Sequence, residues 1–178
     1  MEIRTENKPP VIHTPRLALR PFAEEDRPAA VALLMRPEIG KTYMLPVFTG
    51  PEDAARLFAR LHALSHDPAH FVYGVYAEGR LIGFFNDVEI GTDAIEVGYV
   101  IDPDHWNRGY ATEALSACIG ALFALGFTAV NAGFFEGNIA SRRVMEKSGM
   151  CSAYRTHEIE YRGETRRCIY FTITAEEK

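Results

Sequence analysis

The stretch "HWNRGYATEA", residues 105–114, decides how the chain is read. It leads an aromatic approach through Gly109 and the small Ala111 into the helical pattern "GYATEALSACIGALFALG" (109–126), which Gly126 stops. The first backbone N–H groups of a helix have no internal partner and form its positive end. Asp or Glu usually answers that charge, yet none stands between Asp104 and Glu113. Gly109 permits a backbone conformation that a Cβ would oppose, and it lets a ligand come close. Ala111 keeps the next turn low, and Arg108 can add a charge-assisted hydrogen bond. Arg108, Gly109, Tyr110, Ala111 and Thr112 therefore describe a phosphate cradle. The helix dipole alone contributes about 0.3–1 kcal/mol, or about 2 when partly buried, so several N–H bonds must act together. A plain turn, with Arg108 in solvent, fits the same residues. Taken alone, they leave both readings open.

Working outward, "AIEVGYVI" (94–101) is a strand ended by Asp102-Pro103-Asp104. Before it, "FVYGVYA" (71–77) and "RLIGFFNDVEI" (80–90) are strands joined by a tight turn at Glu78-Gly79. "RLALRPF" (16–22) alternates apolar and polar residues, as a strand does. A helix over "EEDRPAAVALLMRP" (24–37) follows, acidic at its start and stopped near Pro37. After a loop over 36–50, Thr49 and Glu52 form a capping box for a helix ending near Ser65. Downstream, a strand "AVNAGFF" (129–135) precedes a helix over 138–149, capped by Asn138 and stopped by Gly149. Two last strands, 153–162 and 165–174, turn at Arg162-Gly163. An antiparallel meander feeding one central β-α-β crossover makes an α/β (α+β) sandwich: a mixed, mostly antiparallel sheet with helices on both faces.

The 178 residues suit one domain over 13–174, with an N-terminal extension (1–12) and a C-terminal tail (175–178). A hydrophobic share of 47% and a charged share of 24% are those of a globular protein. The net charge of −5 speaks against nucleic acid as a partner. No apolar run approaches the roughly 20 residues of a membrane span, and the N-terminus is polar, so a cytoplasmic protein is expected. Cys118, Cys151 and Cys168 have no metal-ligand spacing, so reduced thiols and no metal are expected. Neither the dinucleotide nor the nucleotide-triphosphate glycine motif is present.

"DPDHWNRGYATEAL" (102–115) resembles the acetyl-CoA-binding motif of the GNAT family of N-acetyltransferases, Gln/Arg-x-x-Gly-x-Gly/Ala. Trp106 holds the first position, Gly109 the fourth and Ala111 the sixth; Asn107 replaces a usual glycine. The segments 96–105 and 138–150 resemble neighbouring parts of the branch that acetylates ribosomal-protein N-termini. The resemblance covers about residues 13–174. It implies a V-shaped opening between the strands at 94–101 and 129–135, with acetyl-CoA as co-substrate. The backbone of Tyr99, Val100 and Ile101 would pair with pantetheine as an added strand would. Asn138 would also touch that arm, and Ser141 would protonate the departing thiolate.

The acceptor implied is a primary amine, either a protein N-terminal α-amine or a small amine, attacking the thioester directly in a ternary complex. An α-amine (pKa about 8) is roughly 10% neutral at pH 7, whereas a lysine lies about 3 kcal/mol further away. A modest base therefore suffices for an α-amine. Glu96 and Glu158 are the candidate bases, ahead of Asp87 and Glu89. The acidic net charge leans towards cationic acceptors. The acceptor pocket is expected from the 36–50 loop, the second helix and the hairpin at 161–165. "GKTYMLPVF" (40–48) would make it partly apolar. A non-catalytic acyl-CoA-binding or sensing module is the alternative. Family members are monomers or homodimers.

Overall fold

The computed structural model describes residues 4–177. The strands are β1 (Ile12–His13), β2 (Leu17–Arg20), β3 (Tyr73–Ala77), β4 (Arg80–Ile90), β5 (Ala94–Ile101), β6 (Ala129–Phe135), β7 (Cys151–Tyr161) and β8 (Glu164–Thr174). The helices are α1 (Arg27–Leu34), α2 (Pro37–Thr42), α3 (Pro51–His66), α4 (Tyr110–Ala124) and α5 (Ile139–Lys147). All eight strands join one sheet in the order β1-β2-β3-β4-β5-β6-β8-β7. Every neighbouring pair is antiparallel except β5 and β6, which α4 connects as a parallel crossover.

Strand alternation feeds two cores. On one face Leu115, Cys118, Ile119 and Leu122 of α4 cover Phe85, Ile95, Val97 and Val130. On the other, Leu33 and Leu34 of α1 and Ala54, Phe58 and Leu61 of α3 cover Val72, Phe84 and Val100. Consecutive β5 residues thus serve opposite cores: Ile95, Val97 and Ile101 belong to the first, and Val100 to the second. Both hairpin turns, Glu78-Gly79 and Arg162-Gly163, fall where expected.

Three local expectations change. The first helix does stop short of Pro37, where Arg36 is extended, but the same proline also opens a further helix: it stands at the first position of α2, where its missing N–H costs nothing. The 36–50 loop is therefore partly helical. The capping box at Thr49 and Glu52 does not form. Gly50 is the N-cap of α3, which makes Asp53 the residue whose carboxylate reaches back. Its Oδ2 accepts from the backbone N–H and from the hydroxyl of Thr49, both at 2.7 Å. The two-residue β1 was not expected, and it straddles the boundary set between the extension and the domain. Residues 1–3 of that extension, and Lys178 of the tail, lie outside the described residues. Among the described residues no helix is long and apolar enough to cross a membrane.

Phe58 is fully buried and packs edge-on against Phe22, with ring centroids 5.5 Å apart. Phe58→Ala is expected to lower unfolding stability by about 3–5 kcal/mol in urea titrations. A loss near zero would mean that the α1/α3 layer is not cooperative with the sheet.

Candidate active site

The site begins where the one parallel ladder stops. β5 and β6 pair only from Ala94 with Ala129 to Val97 with Ala132. Beyond that point residues 98–101 stay on β4, and Gly133 to Phe135 stay on β8. The two strands therefore part into a fork. Both residues just past the last pair, Gly98 and Gly133, are glycines, and neighbours press close to each. A Cβ on Gly98 would stand 3.1 Å from the Tyr43 ring; one on Gly133 would stand 2.9 Å from Cys168 Sγ and 3.0 Å from the Tyr170 ring.

Tyr99 and Ile101 turn their backbone groups into the fork. Asp102 N–H donates to Ile82 O (2.7 Å), so strand alternation directs the polar groups of Val100 towards β4 instead. The Trp106 indole N–H donates to Ile101 O at 2.6 Å and ties the following loop to the end of β5. Asn107 adopts φ 59°, a left-handed conformation that Asn tolerates and that a glycine would supply freely. That explains how the family's glycine can be replaced here.

At the mouth of the fork Gly109 caps α4 with φ 80°, in the left-handed region that glycine favours. The first intrahelical bond runs from Glu113 N–H to Gly109 O (3.0 Å), so the N–H groups of Tyr110, Ala111 and Thr112 precede it. Arg108 is exposed. His105 lies beside Tyr110 (ring centroids 6.2 Å apart), and its Nδ1 is buried without a hydrogen-bond partner among the described residues. These features fit a phosphate group. The one acid of the first turn, Glu113, points away: its carboxylate accepts from Thr14 Oγ1 (2.6 Å), Arg16 N (2.9 Å) and Arg16 Nε (2.7 Å). Desolvation would raise its pKa, but the bonds from Thr14 and Arg16 outweigh that and hold it below the usual carboxylate range. Arg16 was not a sequence candidate. Nothing local marks it, because it meets α4 from 97 positions away.

The deep end of the fork joins β5 to α5. Asn138 Oδ1 accepts from Ser141 N–H (3.1 Å) and caps α5, as expected. Ser141 Oγ then lies 3.0 Å from the Tyr99 hydroxyl. Burial pushes the Tyr99 pKa up to about 12, against the opposing bond to Ser141, so the phenol holds its proton at neutral pH. Tyr99 thus enters the site through its side chain, a role that its place in an apolar strand gave no hint of.

Glu96 faces the other way, onto the α1/α3 side of the sheet. Burial raises its pKa, while Arg155 (3.3 Å) and then His157 lower it and Glu89 raises it. Arg155 in turn lies over the Tyr170 ring at 4.0 Å. Glu158 is elsewhere. Strand pairing puts Glu158 opposite Arg167, one residue out of phase with His157 and Cys168, so it projects from the opposite face to Glu96. It is 68% exposed, and its nearest cation, Arg167, is 3.8 Å away. Asp87 is buried in structural bonds, accepting from Phe71 N–H (2.7 Å) and facing His70 Nδ1 (3.0 Å). Burial also pushes the Cys168 thiol up, so it is no ready thiolate.

On the Glu96 side a cavity of about 190 Å³ opens between α3, β4 and residues 43–46. Leu57, Leu61, Leu64 and Phe84 give it an apolar wall, and Tyr43 and Asn86 give it a polar edge toward Gly98. The Tyr161 hydroxyl accepts from Leu45 N–H (3.1 Å) and donates towards Gly40 O (2.7 Å) and Tyr43 O (3.0 Å), fastening the β7–β8 hairpin to this segment.

A sheet split beside a helix N-terminus is the arrangement of an acyl-CoA-dependent transferase. Residues 16–151 match the acetyltransferase (GNAT) domain, and the chain belongs to that family of acetyltransferases. The uncharacterized N-acetyltransferase YoaA of Bacillus subtilis (strain 168) is 30% identical over 145 residues, which span 79% of this chain and 82% of that protein. The FsC-acetyl coenzyme A-N(2)-transacetylase of Aspergillus fumigatus is 28% identical over 152 residues, spanning 79% of this chain and 65% of its own. Among solved structures, a GNAT acetyltransferase from Bacillus anthracis superposes with a TM-score of 0.81 at 25% identity, covering 94% of this chain and 99% of that one. RimL, a ribosomal L7/L12 alpha-N-protein acetyltransferase solved with coenzyme A, shares the fold with a TM-score of 0.81 at 16% identity, over 94% and 99% of the two chains.

Proposed function

We propose that the protein transfers the acetyl group of acetyl-CoA directly to a primary amine within a ternary complex. The observation that carries this reading is the fork, which has a proton-holding hydroxyl pair on one side and a half-screened carboxylate on the other. Acetyl-CoA supplies the activated thioester. The N–H groups of residues 109–112, with Arg108, hold its phosphates. Tyr99 and Ile101 offer backbone partners to pantetheine, and Asn138 holds the start of α5 against that arm. Ser141, bonded to the protonated Tyr99, is placed to return a proton to the thiolate. Glu96, its proton affinity raised by burial and trimmed by Arg155, is the base for the incoming ammonium. The raised thiol of Cys168 disfavours an acyl-enzyme.

The acceptor is an amine that carries an apolar group, on a protein N-terminus or a small molecule. A cavity of about 190 Å³ suits one side chain; sites for whole drug-sized ligands span roughly 300–1,000 Å³. The family's reaction and the three reduced thiols suit a cytoplasmic enzyme, working as a monomer or homodimer. A second reading, a non-catalytic acyl-CoA sensor, draws on one observation: the ion pair with Arg155 occupies Glu96.

Thiol release from acetyl-CoA in the presence of a panel of peptides and small amines separates the two. Turnover with amines bearing apolar groups is expected; tight acetyl-CoA binding with no turnover across the panel would leave the sensor. Gly109→Glu, which puts a carboxylate among the free N–H groups at a strained φ, is expected to abolish CoA binding in calorimetry. Unchanged affinity would sink the cradle. Arg155→Gln removes the cation that lowers the Glu96 pKa, so Glu96 keeps its proton to higher pH. The acid limb of kcat/KM should therefore move to higher pH, and an unmoved limb would exclude Glu96 as the base.

A further inference from the structure

Glu113 is the one acidic residue in the first turn of α4, the turn whose leading N–H groups the coenzyme reading assigns to phosphate. A free carboxylate there would compete for those groups and repel the ligand. Its three bonds all run the other way, to the turn between β1 and β2. That turn is itself stiff: Thr14 N–H donates to Leu17 O (3.0 Å), and Thr14 Oγ1 accepts from Leu17 N–H (2.9 Å). Arg16 holds both flanks of Gly109. Its Nε is on Glu113, its Nη1 donates to Arg108 O (2.8 Å), and its guanidinium lies 4.5 Å from the Tyr110 ring centroid. Its Nη2 would be 3.3 Å from a Cβ on Gly109.

We propose that Arg16 is a positioning residue of the coenzyme site: with Thr14 it draws the Glu113 carboxylate off the positive end of α4 and keeps that end open to phosphate. The inference rests on the acetyl-CoA reading above. The Arg16–Glu113 pair is neutral as a unit, so the N–H groups and Arg108 remain as the local positive potential. By holding Arg108 O, Arg16 also steadies the left-handed turn at Gly109 from outside the motif. The β1–β2 turn therefore belongs functionally to a helix that begins nearly a hundred residues later.

The clamp predicts a suppressor. CoA affinity is measured by calorimetry for the unaltered protein, Arg16→Gln, and Arg16→Gln combined with Glu113→Gln, with melting temperatures alongside. Arg16→Gln is expected to weaken CoA binding roughly three- to ten-fold, because the released carboxylate opposes the dipole. Adding Glu113→Gln should return affinity to within about two-fold of the unaltered protein, although neither altered protein regains the lost ion pair. A purely structural role would leave both altered proteins equally weak, which would overturn the clamp. Unchanged affinity in Arg16→Gln would overturn it too. If the unaltered protein fails to bind CoA, the cradle itself falls and the clamp with it. That outcome is distinct from normal binding without suppression.

Discussion

The parallel pairing of β5 with β6 ends at Val97 and Ala132, and the rest of the site depends on that early stop. Each strand has a second partner that holds it past the fork, β4 for β5 and β8 for β6, so parting costs the sheet no order. What it leaves are strand edges with unsatisfied polar groups, which a ligand with amides can pair. The chain satisfies one of them itself, Ile101 O, through the Trp106 indole. That bond also fixes where the loop leaves the sheet, and hence where α4 can begin. The strand edge and the helix N-terminus are thus set by one local geometry.

Charge is arranged residue by residue rather than by the net value. The chain is acidic overall, yet the acids nearest the mouth of the fork are all engaged. Glu113 is held by Thr14 and Arg16; Asp104 receives a two-pronged contact from Arg36 at 3.2 Å, with Asp102 3.5 Å from the same guanidinium. Burial drives the Tyr99 and Cys168 protons on, whereas Arg155 moderates the same effect on Glu96. The net charge of −5 pointed to cationic acceptors; around Glu96 itself, Arg155 and His157 are set against Glu89. Local pairing governs a pocket more than the sum over the surface does.

Much of the fold was legible because its signals are local. Strand alternation, tight turns and the Asn138 cap each act over a few residues, and the strands from Arg80 onward and helices α4 and α5 lie within two residues of where they were read. The misreadings were also local, in the short pieces β1 and α2 and at the cap of α3. Pro37 ends the reach of α1 and also opens α2, which was read as loop, and the α3 cap falls on Gly50, so that Asp53 rather than Glu52 reaches back. Of the candidate site, Asn138, Ser141, Glu96 and the 108–112 turn were visible in the sequence. Arg16 and the Tyr99 hydroxyl were not, because their partners are 97 and 42 positions away.

The sequence by itself determined the order of every helix and strand but β1 and α2, the helix entrance stripped of acids, and the family that such an entrance marks, since each is written in neighbouring residues. Tertiary structure alone decided which side chains meet. Strand register put Glu96 and Glu158 on opposite faces, the fork brought Tyr99 to Ser141, and the β1–β2 turn carried Arg16 to Glu113. The physical reason is that side-chain direction in a sheet has a period of two, so a pairing register that no short motif specifies settles the chemistry on each face.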